Sequence, residues 1–117
     1  MSKAEVTATL RLDKFLWFAR LAKTRSLAAR LCAAGAVAIA GQTVLKPGQR
    51  VRIGDVVTVP QGRVIRTVRI EALGSRRGPA GEARLLYTEL APPQRIAREA
   101  WTRLLGEEDA AMSESAE

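Results

Sequence analysis

Histidine is absent from this 117-residue chain, and cysteine occurs once, at position 32. Without imidazole the usual general base and the common catalytic triads cannot be built, and a single thiol allows neither an internal disulfide nor a Cys/His zinc site. Long hydrophobic runs are also missing. No window approaches the roughly 18 apolar residues of a membrane span, and the opening MSKAEVTATL lacks the apolar stretch of a secretory signal. We therefore expect a cytoplasmic, reducing environment, no membrane partner, no metal and no cofactor. Aromatic residues make up only 4% of the chain, so the adjacent pair Trp17 and Phe18 stands out.

Acidic residues are scarce where basic ones are dense. Residues 1–77 hold fifteen Lys or Arg against four Asp or Glu, a net of +11, whereas residues 78–117 carry a net of −4, which together give the overall +7. A field of one sign over two thirds of a chain points to a polyanionic partner. The length suits one domain whose core can form without disulfide or metal staples, and a monomer is expected.

Hydrophobic periodicity gives the outline of an α+β fold. Residues 1–10 read as a lead-in, with Val6 to Leu10 a candidate edge segment. Leu12, Phe15, Leu16, Ala19 and Ala22 recur at helical spacing, so a helix is predicted over Lys14 to Ala22 with Asp13 as its N-cap. Phe15, Leu16, Trp17 and Phe18 cannot all lie on one face, so either something covers one of them or they are exposed for a purpose such as base stacking, and core is the commoner use of such aromatics. After the polar Lys23-Thr24-Arg25, Ser26 offers a second N-cap, and Leu27, Ala28, Leu31 and Cys32 form the stripe of a helix that Gly35 should end.

The period then changes from 3.6 to 2. Val37 and Ile39 lead into a hairpin turn at Ala40-Gly41-Gln42, followed by Thr43 to Leu45. Lys46-Pro47-Gly48 turns the chain again, Val51 and Ile53 are placed on one face opposite Arg50 and Arg52, and Gly54-Asp55 leads to Val56 through Val59. Past Pro60-Gln61-Gly62 an alternating run from Arg63 to Leu73 reads as a half-buried antiparallel strand. Residues 74–81 read as a loop with Arg76 and Arg77 at its tip, and Arg84 to Leu90 as a partner strand. Pro92 and Pro93 mark a boundary before a carboxyl-terminal helix from about Gln94 to Leu105, whose Trp101 is expected to pack near Trp17 or Phe18. Residues 107–117 form an acidic tail expected to be disordered.

Chemistry in this inventory is that of binding. Asp13, Asp55 and Glu71 are isolated carboxylates at caps, turns or strand edges, and Cys32 lies on an apolar helical stripe as a small core residue. Gly35 to Gln42 lacks the Lys-Ser/Thr of a phosphate-binding loop and follows a helix. Between Arg11 and Arg52, by contrast, nine cations face a single acid, Asp13. These are Arg11, Lys14, Arg20, Lys23, Arg25, Arg30, Lys46, Arg50 and Arg52, and Thr24, Ser26 and Gln42 add neutral donors within reach of phosphate or sugar oxygens. The second helix carries no Asn or Gln with which to read adenine in a major groove, so phosphates and the shape of a folded RNA are the better target.

Several spaced positions then agree with a known pattern. Arg11-Leu12-Asp13-Lys14-Phe15-Leu16-Trp17, Lys23-Thr24-Arg25-Ser26, Ala29-Arg30, Gly35-Ala36-Val37, Gly41, Lys46-Pro47 and Gly54-Asp55 resemble the S4 RNA-binding domain. The stretch from Ser75 to Glu89 is similar to the fifteen-kilodalton heat-shock proteins within that superfamily. The resemblance implies a two-helix S4 motif over residues 11–59 packed on a small, mostly antiparallel sheet, a continuing β-hairpin over 60–91 and a carboxyl-terminal helix over 92–106. It implies an RNA face made of Arg11, Lys14, Lys23, Thr24, Arg25, Ser26, Arg30, Gln42 and Lys46. It also implies a non-catalytic role on ribosomal RNA of the large subunit, in rescue of stalled subunits that still carry a nascent chain on tRNA. The turn departs from the family in having Ala40 where Asn is usual, and the tail is acidic where the family continues into a basic extension. Two other readings share the basic module: a recognition module serving a separate RNA-modifying enzyme, and a general nucleic-acid-binding regulator.

Overall fold

Two short helices and a sheet bury one continuous apolar core, and the computed structural model describes residues 8–95 of the chain. The elements are β1 (Leu10–Arg11), α1 (Leu12–Phe18), α2 (Arg25–Ala33), β2 (Ala38–Ile39), β3 (Gln42–Thr43), β4 (Arg50–Val51), β5 (Val56–Gln61), β6 (Val64–Ile70), α3 (Ala80–Ala83), β7 (Tyr87–Glu89) and β8 (Gln94–Arg95). Every strand pairing among the described residues is antiparallel. The main sheet runs β3, β2, β5, β6, β7, with β8 also beside β6, while β1 pairs with β4 as a separate ribbon. The α+β class is as expected, and the sheet is wholly antiparallel.

The predicted helical stripes are the buried ones. Leu12, Phe15, Leu16, Ala19 and Ala22 of the first segment and Leu27, Ala28, Leu31 and Cys32 of the second are all buried, joined by Val57, Val59, Val68 and Ile70 from the sheet. The helix ends fall elsewhere. The first helix begins at Leu12, because the backbone N–H groups of Leu12 and Asp13 donate to the carbonyls of Gln49 (2.7 Å) and Pro47 (3.4 Å). Chain-distant carbonyls thus satisfy the free donors of its first turn, and Asp13 is a residue of that turn and not its cap. The second helix is capped by Thr24, whose hydroxyl accepts from the Leu27 N–H at 2.9 Å, so Ser26 lies inside the helix. A cap two residues earlier uses the same chemistry with a different donor in register.

Both helices stop in the same way. After α2 the N–H of Ala36 donates to the Leu31 carbonyl at 3.0 Å and that of Gly35 to Cys32 at 3.1 Å, with Gly35 at φ +76°. After α1 the N–H of Leu21 donates to Leu16 at 2.9 Å and that of Arg20 to Trp17 at 3.1 Å, but here the left-handed residue is Arg20, at φ +58°. This double bond pattern needs a left-handed residue, which glycine adopts freely and arginine adopts under strain.

Ala40 and Gly41 close the β2–β3 hairpin as a two-residue loop, with Ile39 opposite Gln42 and positive φ at both turn residues, +52° and +81°. This is the geometry that favours Asn-Gly, and Ala40 has no polar side chain to ease the left-handed conformation. Ala40→Asn should therefore stabilise the protein by about 0.5–1 kcal/mol, seen as a rise of a few degrees in Tm on thermal unfolding. No change would mean that the turn strain is already absorbed by the neighbouring strands.

Other expectations are corrected. Ile53 does not continue the Val51 face: it lies in a turn with 58% of its surface exposed, whereas Val51 is buried. The turn forms because the Asp55 carboxylate accepts the Arg52 N–H at 3.0 Å. Pro60 and Gln61 belong to β5 instead of a turn. The segment from Arg84 to Leu90 begins with a 3-10 turn over Arg84–Leu86, so only Tyr87–Glu89 is strand. Gln94 and Arg95 pair with Ile65 and Val64 as β8, where a helix start was expected. The remainder of the expected carboxyl-terminal helix, the docking of Trp101, the acidic tail and the edge segment before Ala8 lie outside the described residues. Phe18 is nevertheless covered. It is buried, and a side chain added at Gly74 would meet both Phe18 and Leu86, which places the 74–86 segment over this end of α1.

Candidate nucleic-acid interface

Asp13 is the one buried charged residue among those described, with its side chain 4% exposed. The Arg11 guanidinium donates to it twice, Nε to Oδ1 and Nη2 to Oδ2, both at 3.1 Å. Arg25, at the start of α2, brings Nη2 to 3.8 Å from Oδ1. One carboxylate therefore ties the end of β1 to the first turns of both helices, and both guanidinium groups remain nearly half exposed, at 45% and 43%. The hydrogen bonds and charge of Asp13 raise the Arg11 pKa further.

The other expected contact residues are distributed around this hub. Lys14 on α1 is half-buried, with Nζ 5.6 Å from the Phe18 ring centroid. Lys23 is exposed in the connector between the helices, Ser26 is exposed in the first turn of α2, and Arg30 is exposed in its last turn. The Thr24 hydroxyl oxygen is engaged as the cap of α2, which leaves its O–H as a donor. Exposed Gln42 and Lys46 line an open groove of 590 Å³ beside the β2–β3 hairpin, together with Gln49, Arg50 and Arg52, and this groove adjoins the hub, because Arg50 lies opposite Arg11 in the β1–β4 ribbon and the Pro47 carbonyl accepts the Asp13 N–H. Arg50 donates to the Thr9 hydroxyl at 2.8 Å, and Arg52 lies 3.9 Å from Asp55. The nine residues thus lie in a helix-start cluster and an adjoining hairpin groove.

Cys32 is buried in the core, and desolvation first, then the negative charge of Asp13, push its thiol up to about 12. It is a packing residue held neutral at physiological pH. Its expected role as core filler agrees with the structure.

Sequence reasoning missed Arg77. Expected at an exposed loop tip, it turns back so that Nη1 donates to the carbonyls of Trp17 (2.7 Å) and Ala22 (3.2 Å), while its guanidinium lies 5.6 Å from the Trp17 ring centroid. It thereby closes the carbonyl end of α1 and covers Trp17. Arg76 pairs with Glu82 at 2.7 Å and braces the same segment. No local pattern reveals a contact made 55 to 60 residues away in the chain; the surplus aromatic surface on α1 was the available hint.

Comparison with known proteins gives this geometry a family. The S4 domain model matches residues 10–57. Heat shock protein 15 of Escherichia coli K12 is 43% identical over 89 residues, covering 76% of this chain and 66% of that protein, so the chain spans just under two thirds of that relative. A heat shock protein 15 homolog of Haemophilus influenzae is 38% identical across 80% of this chain and 72% of its own length. The RQC P-site tRNA stabilizing factor of Listeria innocua is 36% identical across 73% of this chain and 90% of its own. Among solved structures, the trimeric Vibrio cholerae heat shock protein 15 superposes with a TM-score of 0.67 at 44% identity, covering 72% of this chain and 84% of that one. With its S4 domain, two-helix hub and sheet, this chain belongs to the heat shock protein 15 family.

Proposed function

We propose that the chain is a non-catalytic RNA-binding protein that recognises structured ribosomal RNA on the large subunit and acts in rescue of stalled subunits. The observation that carries this reading is the helix-start cluster: Arg11 and Arg25 stay nearly half exposed while bonded to one buried acid, and Lys23 in the connector with Ser26 and Arg30 on α2 add exposed cations and a neutral donor in the same stretch. Ordinary surfaces intersperse both signs, and an uncompensated field chiefly serves to attract a charged partner. The names of the relatives support the cellular setting, since one belongs to heat shock and another to stabilisation of P-site tRNA. By that similarity the partner is large-subunit RNA together with the tRNA held there, reached in the cytoplasm.

The binding unit is read as one copy of the chain. The Vibrio cholerae protein is trimeric in its solved structure, so sedimentation equilibrium of the free chain checks this point, and a stable trimer would replace it.

The experiment for the RNA face is a salt titration of binding to structured RNA. Each phosphate contact contributes roughly −0.7 to −0.9 to the slope of log affinity against log salt. Lys23→Ala with Lys46→Ala removes one cation from each group and should flatten the slope by about 1.4–1.8 if both contact phosphate. Unchanged affinity and slope would exclude this face. Cosedimentation with ribosomal subunits followed by crosslink mapping then tests the large-subunit assignment, which fails if the protein pellets only with the small subunit.

A further inference from the structure

The inward face of the sheet does not stay apolar along its length. By the two-residue alternation of strands, Gln61 shares a face with Val57 and Val59, and Arg66 with Val68 and Ile70; the register then sets Tyr87 opposite Ile70. Beyond the area covered by the helices, this face opens into a pocket of 290 Å³. It is lined by Gln61, Arg66 and Tyr87 from the sheet, Arg20 from the end of α1 and Arg84 from the 3-10 turn. None of these belongs to the nine-residue face.

The three arginines differ in what they are already bonded to. Arg66 donates to both oxygens of Glu89, at 3.0 and 2.7 Å, and to Gln61 Oε1 at 2.6 Å, so its charge is offset. Arg20 commits Nε to the Gly78 carbonyl at 2.7 Å, which leaves the rest of its fork. The Arg84 side chain makes no hydrogen bond or ion pair among the described residues. The acids near this end are engaged, Glu89 with Arg66 and Glu82 with Arg76. Burial first, and then the nearby charge of Arg20, lower the pKa of Arg77, which places the two guanidinium groups close together.

The backbone adds an independent observation. Arg20 occupies the left-handed position that ends α1, at φ +58°, where glycine is the usual residue. It is held there by its own N–H on Trp17 and by Gln61 Nε2, which donates to the Arg20 carbonyl at 3.0 Å. A strained, charged residue at a pocket, where an unstrained glycine would end the helix equally well, points to a use for its side chain. The volume limits that use. Sites for drug-sized ligands run to about 300–1,000 Å³, so this pocket suits a single phosphate group better than a nucleotide cofactor.

We propose that the pocket binds a backbone phosphate of the RNA, with Arg20 and Arg84 supplying the positive charge and the Tyr87 hydroxyl a neutral donor. This rests on the RNA-binding reading above and extends the footprint from the α1–α2 face around the carboxyl end of α1. Arg84→Glu tests it cleanly, because the Arg84 side chain is exposed and is bonded to none of the described residues. In a salt titration of the full chain with structured RNA, Arg84→Glu should weaken binding about five- to ten-fold near 0.1 M salt and flatten the slope by about 0.7–0.9. Arg20→Gly should weaken binding similarly while keeping the native circular dichroism. Arg69→Glu, on the opposite face of β6, should have a much smaller effect. Equal losses from Arg84→Glu and Arg69→Glu would mean a diffuse field and overturn the pocket. Wild-type binding by Arg84→Glu, with a loss in the Lys23/Lys46 double variant, would overturn the pocket and leave the helix face standing. Wild-type binding by both would sink the RNA reading itself. In NMR spectra the side-chain Nε–H signals of Arg20 and Arg84 should shift with RNA and need millimolar inorganic phosphate to shift alone; saturation by micromolar phosphate would identify a free-anion site instead.

Discussion

Asp13→Ala is expected to destabilise the protein by about 2–4 kcal/mol, or roughly 10–25 °C in Tm for a domain of this size. The substitution removes a carboxylate that accepts two hydrogen bonds from Arg11 and attracts Arg25. Hydrogen bonds to charged groups contribute about 1.5–3 kcal/mol when they are well formed, and an acid in the first turn of a helix adds about 0.3–1 kcal/mol through the helix dipole. The total stays below the roughly 3–5 kcal/mol of a fully buried broken pair, because Arg11 and Arg25 are nearly half exposed and regain water when released. Asp13→Asn keeps the shape and one acceptor, so it should lose about half as much. Chemical denaturation of both variants measures this order, and a loss below about 0.5 kcal/mol for Asp13→Ala would put Asp13 among ordinary surface acids. The same variants bear on function. At temperatures where Asp13→Asn stays folded, two cations of the helix face lose their counter-charge, so RNA affinity at low salt should not fall. A marked fall would show that Asp13 positions these arginines and that placement outweighs charge.

What could be read from the sequence was whatever has a short period. The stripes of α1 and α2, the stop at Gly35, the hairpin at Ala40-Gly41 and the burial of Cys32 all follow from neighbours within a few residues, and each is where the pattern places it. The errors share one physical origin: a hydrogen bond formed only in the folded chain settles a choice that the local pattern leaves open. Asp13 has the chemistry of an N-cap, but the carbonyls of Pro47 and Gln49 satisfy the helix start and free its carboxylate for Arg11 and Arg25. Ser26 and Thr24 are both able to cap α2, and only the register of the folded turn selects Thr24. Ile53 completes an alternation on paper, yet the Asp55 side chain turns the chain before the pattern can continue. For the candidate site, composition gave the cations and their excess. It could not give their arrangement as a helix-start cluster with an adjoining hairpin groove, because that depends on how β4 returns beside β1.

Arg77→Ala is expected to cost about 2–3 kcal/mol, and Arg77→Lys to recover little of it. The guanidinium serves at once the carbonyl of Trp17 in the last turn of α1 and that of Ala22 in the connector, and lies 5.6 Å from the Trp17 ring centroid. Charge-assisted bonds of this kind contribute about 1.5–3 kcal/mol, and a partly desolvated cation–π contact about 0.5–2 kcal/mol. Against this stand the desolvation of the half-buried guanidinium and its repulsion by Arg20, both of which hold its pKa below the usual arginine value. Lysine has donors enough for both carbonyls, but its compact ammonium lacks the planar guanidinium that extends from Nη1 on those carbonyls to Cζ near the Trp17 ring. If the contact is mainly charge at the carboxyl end of α1, lysine would restore most of the stability; if it is geometry, lysine should behave nearly like alanine. Thermal unfolding of the two variants separates these outcomes. The consequence for binding is indirect but specific. Gly78, whose carbonyl anchors Arg20, follows Arg77 directly, so freeing the 74–82 segment should loosen Arg20 and leave Lys23, Arg25 and Ser26 on a helix pair with an unfastened end. RNA affinity measured well below the unfolding midpoint should therefore drop in Arg77→Ala even though Arg77 itself, turned inward on Trp17 and Ala22, contacts no phosphate. If affinity there is unchanged, the strap stabilises the fold without organising the surface that binds.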